Sequence, residues 1–394
     1  IMTVIAYAVL AVAMLVVPRF QEESILLLVC SLSMILNFAA MEWLYKALEC
    51  YTYITFRSLA FKVLAVIAMF AFVHTKEDYI KYAGIVVLAN TGYGVLNLFN
   101  LRNHITFRRF KDYQIRRHLK PVFIFFAMTV ATTIYSNLDV TMLGFMRDNA
   151  EVGYYDVAVK IKVILVNVVT SLGAVLLPRT SYYVEMKMDK EFRAVSGKAL
   201  EFVTVLAIPL TVGFTIMAKQ CILFLSGNAY LPSVTPMRVI MPTLILIGAS
   251  NVFGVQMLVP LGREKLVLYS ECAGAVTDII LNAICIPKYG AAGAAFGTVM
   301  AEAVVLIVQV ASLKDVAIEI IQKLEIWKII LSVMAAGAVM ELIQKKNEIG
   351  TFLMLIVCFA AFWAIYGLML FIFRERVLLE ILETIKHGRK KIGE

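Results

Sequence analysis

Blocks of about 20 consecutive apolar residues, separated by short charged or glycine-bearing turns, recur along this chain from end to end. A helix rising 1.5 Å per residue needs about that length to cross the roughly 30 Å hydrocarbon core of a bilayer. Twelve such blocks can be drawn: 1–17, 25–48, 58–74, 79–99, 121–146, 153–180, 194–218, 234–260, 265–286, 291–313, 327–343 and 351–373. Composition agrees, with 61% hydrophobic and only 16% charged residues, where a soluble domain carries about a quarter charged. The expected fold is an all-α polytopic membrane protein.

The net charge of +9 is spread unevenly over the connections, and that asymmetry sets orientation. Lys46 and Arg57, the stretch 101–120, Lys187 to Arg193, Arg263 and Lys265, Lys314 to Lys328 and the tail after 373 collect on one side. The opposite turns hold only Arg19, Lys76, Arg147, Lys219, Lys288, Lys345 and Lys346. The basic side reads as cytoplasmic, carboxyl terminus included, and the charge reads as topology instead of nucleic-acid binding. Residues 101–120 and 314–325 mix charges with apolar residues at helical spacing, as does the tail with Val377, Leu378, Ile381, Leu382 and Ile385; all three are expected to lie in the membrane interface.

A weak internal echo pairs WLYKALECYTYITF with QMLVPLGREKLVLYS and KYAGIVVLAN at Lys81 with KYGAAGAAFG at Lys288, an offset of 207 residues. Repeats of that size are how many transporters are built. The organisation expected is a first lobe at 1–100 with four helices, a connection at 101–120, a six-helix lobe at 121–313, two further helices at 314–373 and a basic amphipathic tail at 374–394. Four helices in the first lobe, and an opening residue already inside an apolar run, suggest that two helices precede Ile1 in a longer parent.

Ionisable residues inside spans are costly and mark transport paths by default. Asp139 lies seven residues before the turn at Met146 and Lys160 seven after Gly153, so both sit roughly 10 Å deep in one hairpin and could pair. Lys162 lies on a different face from Lys160, so at most one of the two lysines shares the surface of Asp139. Asp278 and Glu302, about 20 Å and 18 Å from the inner end by helix rise, cannot snorkel easily and are the candidates for a coupling-ion site. Asn137 and Asn282 are their polar companions. Pro178, Pro209, Pro242 and Pro260 allow bends, and the small residues of GAAGAAFG suit a close helix interface.

No enzyme constellation is present: the four histidines fall in loops or at ends without a partnered Ser or Cys nucleophile, and no phosphate-cradling loop occurs. Six cysteines lack the close pairing of a zinc or redox site. No cofactor is implied.

Two blocks carry a family likeness. The run SNLDVTMLGFMRDNAEVGYYDVAVKIKVILVNVVTSLGAVLLPRTSYY resembles the start of the second half of polysaccharide-repeat flippases of the MOP exporter superfamily, and EWLYKALECYTYITFRSLAFK resembles the connection between their fourth and fifth helices. The resemblance implies two helical lobes with alternating access, a MATE-like architecture lacking the first two helices. It implies transport of a polyprenyl-diphosphate-linked oligosaccharide across the bacterial cytoplasmic membrane, with membrane lipids and a polysaccharide polymerase as further partners. Lipid II flippases have a cation after paired tyrosines, which falls near Lys160, and an aspartate that matches Asp139. A diphosphate entering a half-hydrated chamber needs fixed cations, so Lys160 is the expected ligand, with Tyr154, Tyr155, Asn137 and Asn282 for sugar contacts.

Two rivals remain at this stage. A cation-coupled multidrug or metabolite extruder of the same fold would use Glu271, Asp278 and Glu302 to meet a cationic substrate. A membrane scaffold would keep all these charges tightly paired with no polar cavity.

Overall fold

A computed structural model describes residues 2–16, 20–21, 24–101, 115–346, 350–376 and 379, and among them every regular element is a helix. The chain forms two compact units, Ile1–Tyr113 and Gln114–Glu394.

In the first unit the helices are α1 (Met2–Val16), α2 (Ser24–Ala40), α3 (Glu42–Ala47), α4 (Tyr51–Phe72), α5 (Tyr79–Thr91) and α6 (Tyr93–Leu101). α2 packs on both α5 and α6, and α4 lies along α5. The turn ahead of α5 is a capping box: Thr75 and Asp78 satisfy each other's side-chain and backbone groups. Lys81, 2.7 Å away, together with the backbone N–H groups of His74 and Thr75, holds the Asp78 carboxyl well below the usual carboxylate range.

The second unit contains α7 (Ile115–Met146), α8 (Asn149–Glu185), α9 (Asp189–Ile216), α10 (Ala218–Ser226), α11 (Val234–Ile240), α12 (Thr243–Ser250), α13 (Glu264–Leu313), α14 (Asp315–Gln322), α15 (Ile326–Lys346) and α16 (Thr351–Ile372). α12 continues into a wider π-helical turn at Asn251–Leu258, and the chain bends by 44° at the break that holds Pro242. At 50 residues α13 would run about 75 Å if straight, far beyond a bilayer. It folds back instead at Gly290, whose φ of +54° favours glycine, and its two arms pack antiparallel: Gly274 meets Val305 and Ala301, and Gly293 meets Cys285.

Each of the twelve apolar blocks falls on helix. Among the described residues eight helices are long and apolar enough to cross a membrane, and the bent pair 228–258 makes a ninth. In that count α13 stands once, although it carries the blocks at 265–286 and 291–313 as the two arms of its hairpin. The protein is a multi-pass membrane protein. Its large apolar side chains are accordingly turned outward on the spans, with Phe70, Phe145 and Ile307 mostly exposed, an arrangement that water would penalise and lipid does not.

Of the three interfacial segments expected, α14 is seen as a short amphipathic helix that buries Ala317 and Ile320 against α9. Most of 101–120 and all the apolar tail positions named above lie outside the described residues.

Candidate functional site

The turn between α7 and α8 is latched onto the turn of the α13 hairpin, and this latch sets the depth of everything below it. Asp148 caps α8 by accepting from the Glu151 N–H at 2.9 Å. Arg147 then donates to the carbonyls of Ile286 and Pro287, at 3.2 and 2.5 Å, where the first hairpin arm ends. Glu151 accepts the Ala291 N–H, 2.7 Å away, where the second arm begins. A cation thus meets the carbonyl end of one arm and an anion the N–H end of the next, the favourable sense for both helix dipoles. A Cβ at position 290 would stand 2.5 Å from the Glu151 carboxylate, a second reason for glycine there.

About 10 Å below the latch by helix rise, four helical segments meet around Asp139. Its carboxylate is buried and accepts from the Tyr155 hydroxyl, from Thr298 Oγ1 at 2.8 Å and from Asn282 Nδ2 at 2.6 Å. Tyr155 and Thr298 also share a hydrogen bond of 2.9 Å. Gly297 makes room for this: a Cβ there would lie 2.3 Å from Asn282 Oδ1. A buried carboxylate is expensive unless hydrogen bonds replace its hydration, and here neutral donors from α8 and from both hairpin arms do so.

Asp278 lies one turn from Asn282 on the same arm. It is fully buried beside the Asp139 carboxyl, and no neutral group among the described residues donates to its oxygens. Glu302, one turn beyond Thr298, is buried on its own arm. It lines a cavity of about 270 Å³ with Lys162, Asn167, Asn251, Glu271 and Gln309. Lys162 is within electrostatic reach of Glu302, Asp139 and Asp278.

Asp139 and Lys160, which their equal depth would have allowed to pair, do not. Lys160 is exposed and pairs instead with Asp156, one turn earlier, at 2.7 Å. The reason is helical phase. Tyr155 and Lys162, seven residues apart, share the inward face of α8, whereas Lys160, five residues from Tyr155, points well away from it. Lys162 is therefore the lysine on the acidic side.

Tyr154 stands edge-on to Tyr230 with ring centroids 6.1 Å apart, and Tyr230 is within electrostatic reach of Lys160. Lys160, Asp156, Tyr154 and Tyr230 form an accessible group, to which sequence reasoning contributed Lys160 and Tyr154 and missed the others. Asn137 is exposed, while Tyr155 and Asn282 are occupied with Asp139.

The first unit has its own buried ion, which the sequence placed in a loop. Arg57 lies in the second turn of α4 and is 5% exposed. Its guanidinium sits over Tyr93 at 4.3 Å, Tyr53 at 5.5 Å and Tyr45 at 5.7 Å, and all three of its nitrogens lack a hydrogen-bond acceptor among the described residues. Glu42, nearby, takes Lys46 at 3.0 Å and the Tyr93 hydroxyl at 3.1 Å instead.

Comparison with known proteins adds a lineage to this geometry. The family described as "Polysaccharide biosynthesis protein" matches residues 1–184. An Escherichia coli K12 protein named for O-antigen transport is 25% identical over 258 residues, which cover 64% of this chain and 61% of that protein. A Shigella dysenteriae protein with the same name is 20% identical, covering 69% and 68%. The Haloferax volcanii protein AglR, named as a flippase, is 27% identical, covering 64% and 54%. This chain thus spans about three fifths of the Escherichia coli relative and about half of the archaeal one. Among solved structures, the lipid II flippase MurJ in an inward closed conformation superposes with a TM-score of 0.70, at 18% identity, over 96% of this chain and 82% of that one. The fold is the same.

Proposed function

We propose that this chain, whose residues 1–184 match the family described as "Polysaccharide biosynthesis protein", flips a polyprenyl-diphosphate-linked oligosaccharide repeat unit across the bacterial cytoplasmic membrane. The observation that carries this reading is the joint one of fold and lineage: a MurJ-like helical architecture on a chain whose relatives are named for O-antigen transport and glycan flipping. Transport would proceed by alternating access, and a polysaccharide polymerase would take the product.

Residue roles follow from placement. Lys160, held in an accessible position by Asp156 and flanked by Tyr154 and Tyr230, is proposed to meet the diphosphate, and the tyrosines and Asn137 the sugars. Charge-assisted bonds from a fixed cation would offset part of the hydration that the headgroup loses. Tyr155 and Asn282 would reach a sugar only by releasing Asp139, so their proposed contribution is to hold that carboxylate.

Asp278 and Glu302 are proposed to exchange the coupling ion. Asp278 is suited to this because no neutral group among the described residues donates to its oxygens and a second carboxyl, Asp139, lies beside it, and Glu302 because it opens on the cavity that Lys162 shares. The extruder reading gains little from Glu302 and Glu271, which share their cavity with Lys162.

The test uses the complete gene in cells that build a surface polysaccharide. Lys160→Ala should abolish most export of repeat units while the protein remains inserted. Normal export in that variant would remove Lys160 from the site. Normal export in cells lacking the gene altogether would remove the function.

A further inference from the structure

Three basic connections that are far apart in sequence converge at one end of the second unit. The start of α9 brings Lys190, Arg193 and Lys198, the end of α14 brings Lys323, and the segment after α16 brings Arg376. Together with Glu201 and Glu319 they line a cup of about 440 Å³. Five cations thus face two carboxylates, and one of these is already spent: Glu319 takes Arg193 at 2.6 Å and Lys323 at 2.7 Å. Those two cations hold the Glu319 carboxyl below its usual range, Lys323 first and Arg193 second, so it stays ionised. The cup has a surplus of positive charge with room for an anion.

The surroundings say where that anion comes from. α14 forms one wall and is amphipathic, burying Ala317 and Ile320 toward α9 while Ile318 is left about half exposed. Just beyond it Trp327 is 55% exposed, packs on Phe373 with centroids 5.7 Å apart and has the Lys328 ammonium over its ring. A half-exposed Trp beside a lysine, at the end of a span, is the signature of the headgroup layer. The cup therefore opens where bilayer phosphates lie, and basic pockets in that layer bind anionic lipid headgroups.

We propose that this cup is a binding site for the phosphodiester headgroup of an anionic glycerophospholipid, with Lys190 and Arg376 as its outer cations and the Arg193–Glu319–Lys323 cluster as its floor. The lipid joins α9, α14 and the segment after α16, and its acyl chains remain in the bilayer. The site is independent of the transported substrate, since none of its residues belongs to the Asp139 network or to the Lys160 group.

The experiment is a titration of the purified full chain in detergent micelles, reading the thermal unfolding midpoint and the lipid retained by native mass spectrometry. Phosphatidylglycerol should raise the midpoint and remain bound, while phosphatidylcholine and inorganic phosphate at equal concentration should do neither. The double variant Lys190→Gln/Arg376→Gln should weaken phosphatidylglycerol binding roughly thirtyfold, at about fivefold for each lost charge near the surface. Lys288→Gln, at an exposed position outside the cup, should leave binding unchanged. Both substituted residues of the double variant are themselves exposed, so its midpoint without lipid should equal that of the parent. Equal retention of phosphatidylcholine, or undiminished binding in the double variant, would overturn the proposal. A response to inorganic phosphate as large as that to phosphatidylglycerol would also overturn it, assigning the cup to a soluble anion.

Discussion

Each unit has a buried charged side chain at the centre of its own cluster, Arg57 in the first and Asp139 in the second, and the two are stabilised in opposite ways. Asp139 receives three directed hydrogen bonds from neutral groups on three helical segments, so its charge is matched atom by atom. Arg57 donates to no acceptor among the described residues. Its guanidinium is enclosed by three tyrosine faces, a non-directional attraction worth about 0.5–2 kcal/mol per ring depending on desolvation. The difference teaches that burial alone does not say what a charge is for. Asp139 is a joint that ties α7 and α8 to the hairpin, and removing it leaves stranded donors. Arg57 leaves no stranded acceptor behind when removed, and its own desolvation is costly, so the first unit should fold about as well without it.

The largest effect expected from this contrast is at the joint. Asp139→Leu should destabilise the protein by about 3 kcal/mol or more, because the Tyr155, Thr298 and Asn282 donors lose their acceptor in a dry interior. Denaturant unfolding of the purified protein reads this, and a change under about 1 kcal/mol would mean that the donors have other acceptors. Next in size, Gly297→Val should cost about 2 kcal/mol by pushing Asn282 off the carboxylate. A double-mutant cycle with Asp139→Leu should show the two losses to be strongly non-additive; simple additivity would separate the glycine from the network.

Smaller again, Arg57→Met should shift stability by no more than about 1 kcal/mol in either direction. A loss as large as that of Asp139→Leu would show that Arg57 is a joint too. The smallest effect belongs to the surface, at Glu319. A carboxyl whose folded value is depressed contributes only above its unfolded value and loses that contribution as pH falls through the lowered one. A spin label at position 318 should therefore stay immobile from neutral pH down to the ordinary carboxylate range, near the reference 4.5, and loosen below it. In Glu319→Gln the label should be equally mobile at every pH.

Much of this architecture is legible in the sequence because hydrocarbon length imposes it. The blocks, the turn at PKYGAAG and the amphipathic 315–322 stretch all follow from apolar run length and from the spacing of glycine and charge. What was not legible is helical phase. The depth of Lys160 and Asp139 can be counted, but depth does not say which face a residue occupies. Phase from Tyr155 would have selected Lys162, because seven residues return nearly to the same face.

Arg57 was missed for a related reason. The apolar block was begun at Ser58, but the helix starts at Tyr51, where the polar tyrosines of YTYITF already belong to the wall around the cation. Aromatic residues one turn from an arginine were the available signal. The latch of Arg147 and Glu151 onto the hairpin turn joins positions about 140 residues apart, and nothing local announces it.

The most direct measurement of the central claim is movement of a fluorescent polyprenyl-diphosphate oligosaccharide in proteoliposomes containing the complete protein, read by quencher access from outside. The account predicts transfer well above protein-free vesicles, lowered at least tenfold by Lys160→Ala and by Asp278→Asn, with both variants folded. Transfer no faster than in empty vesicles, with a lipophilic cation moved instead, would contradict it.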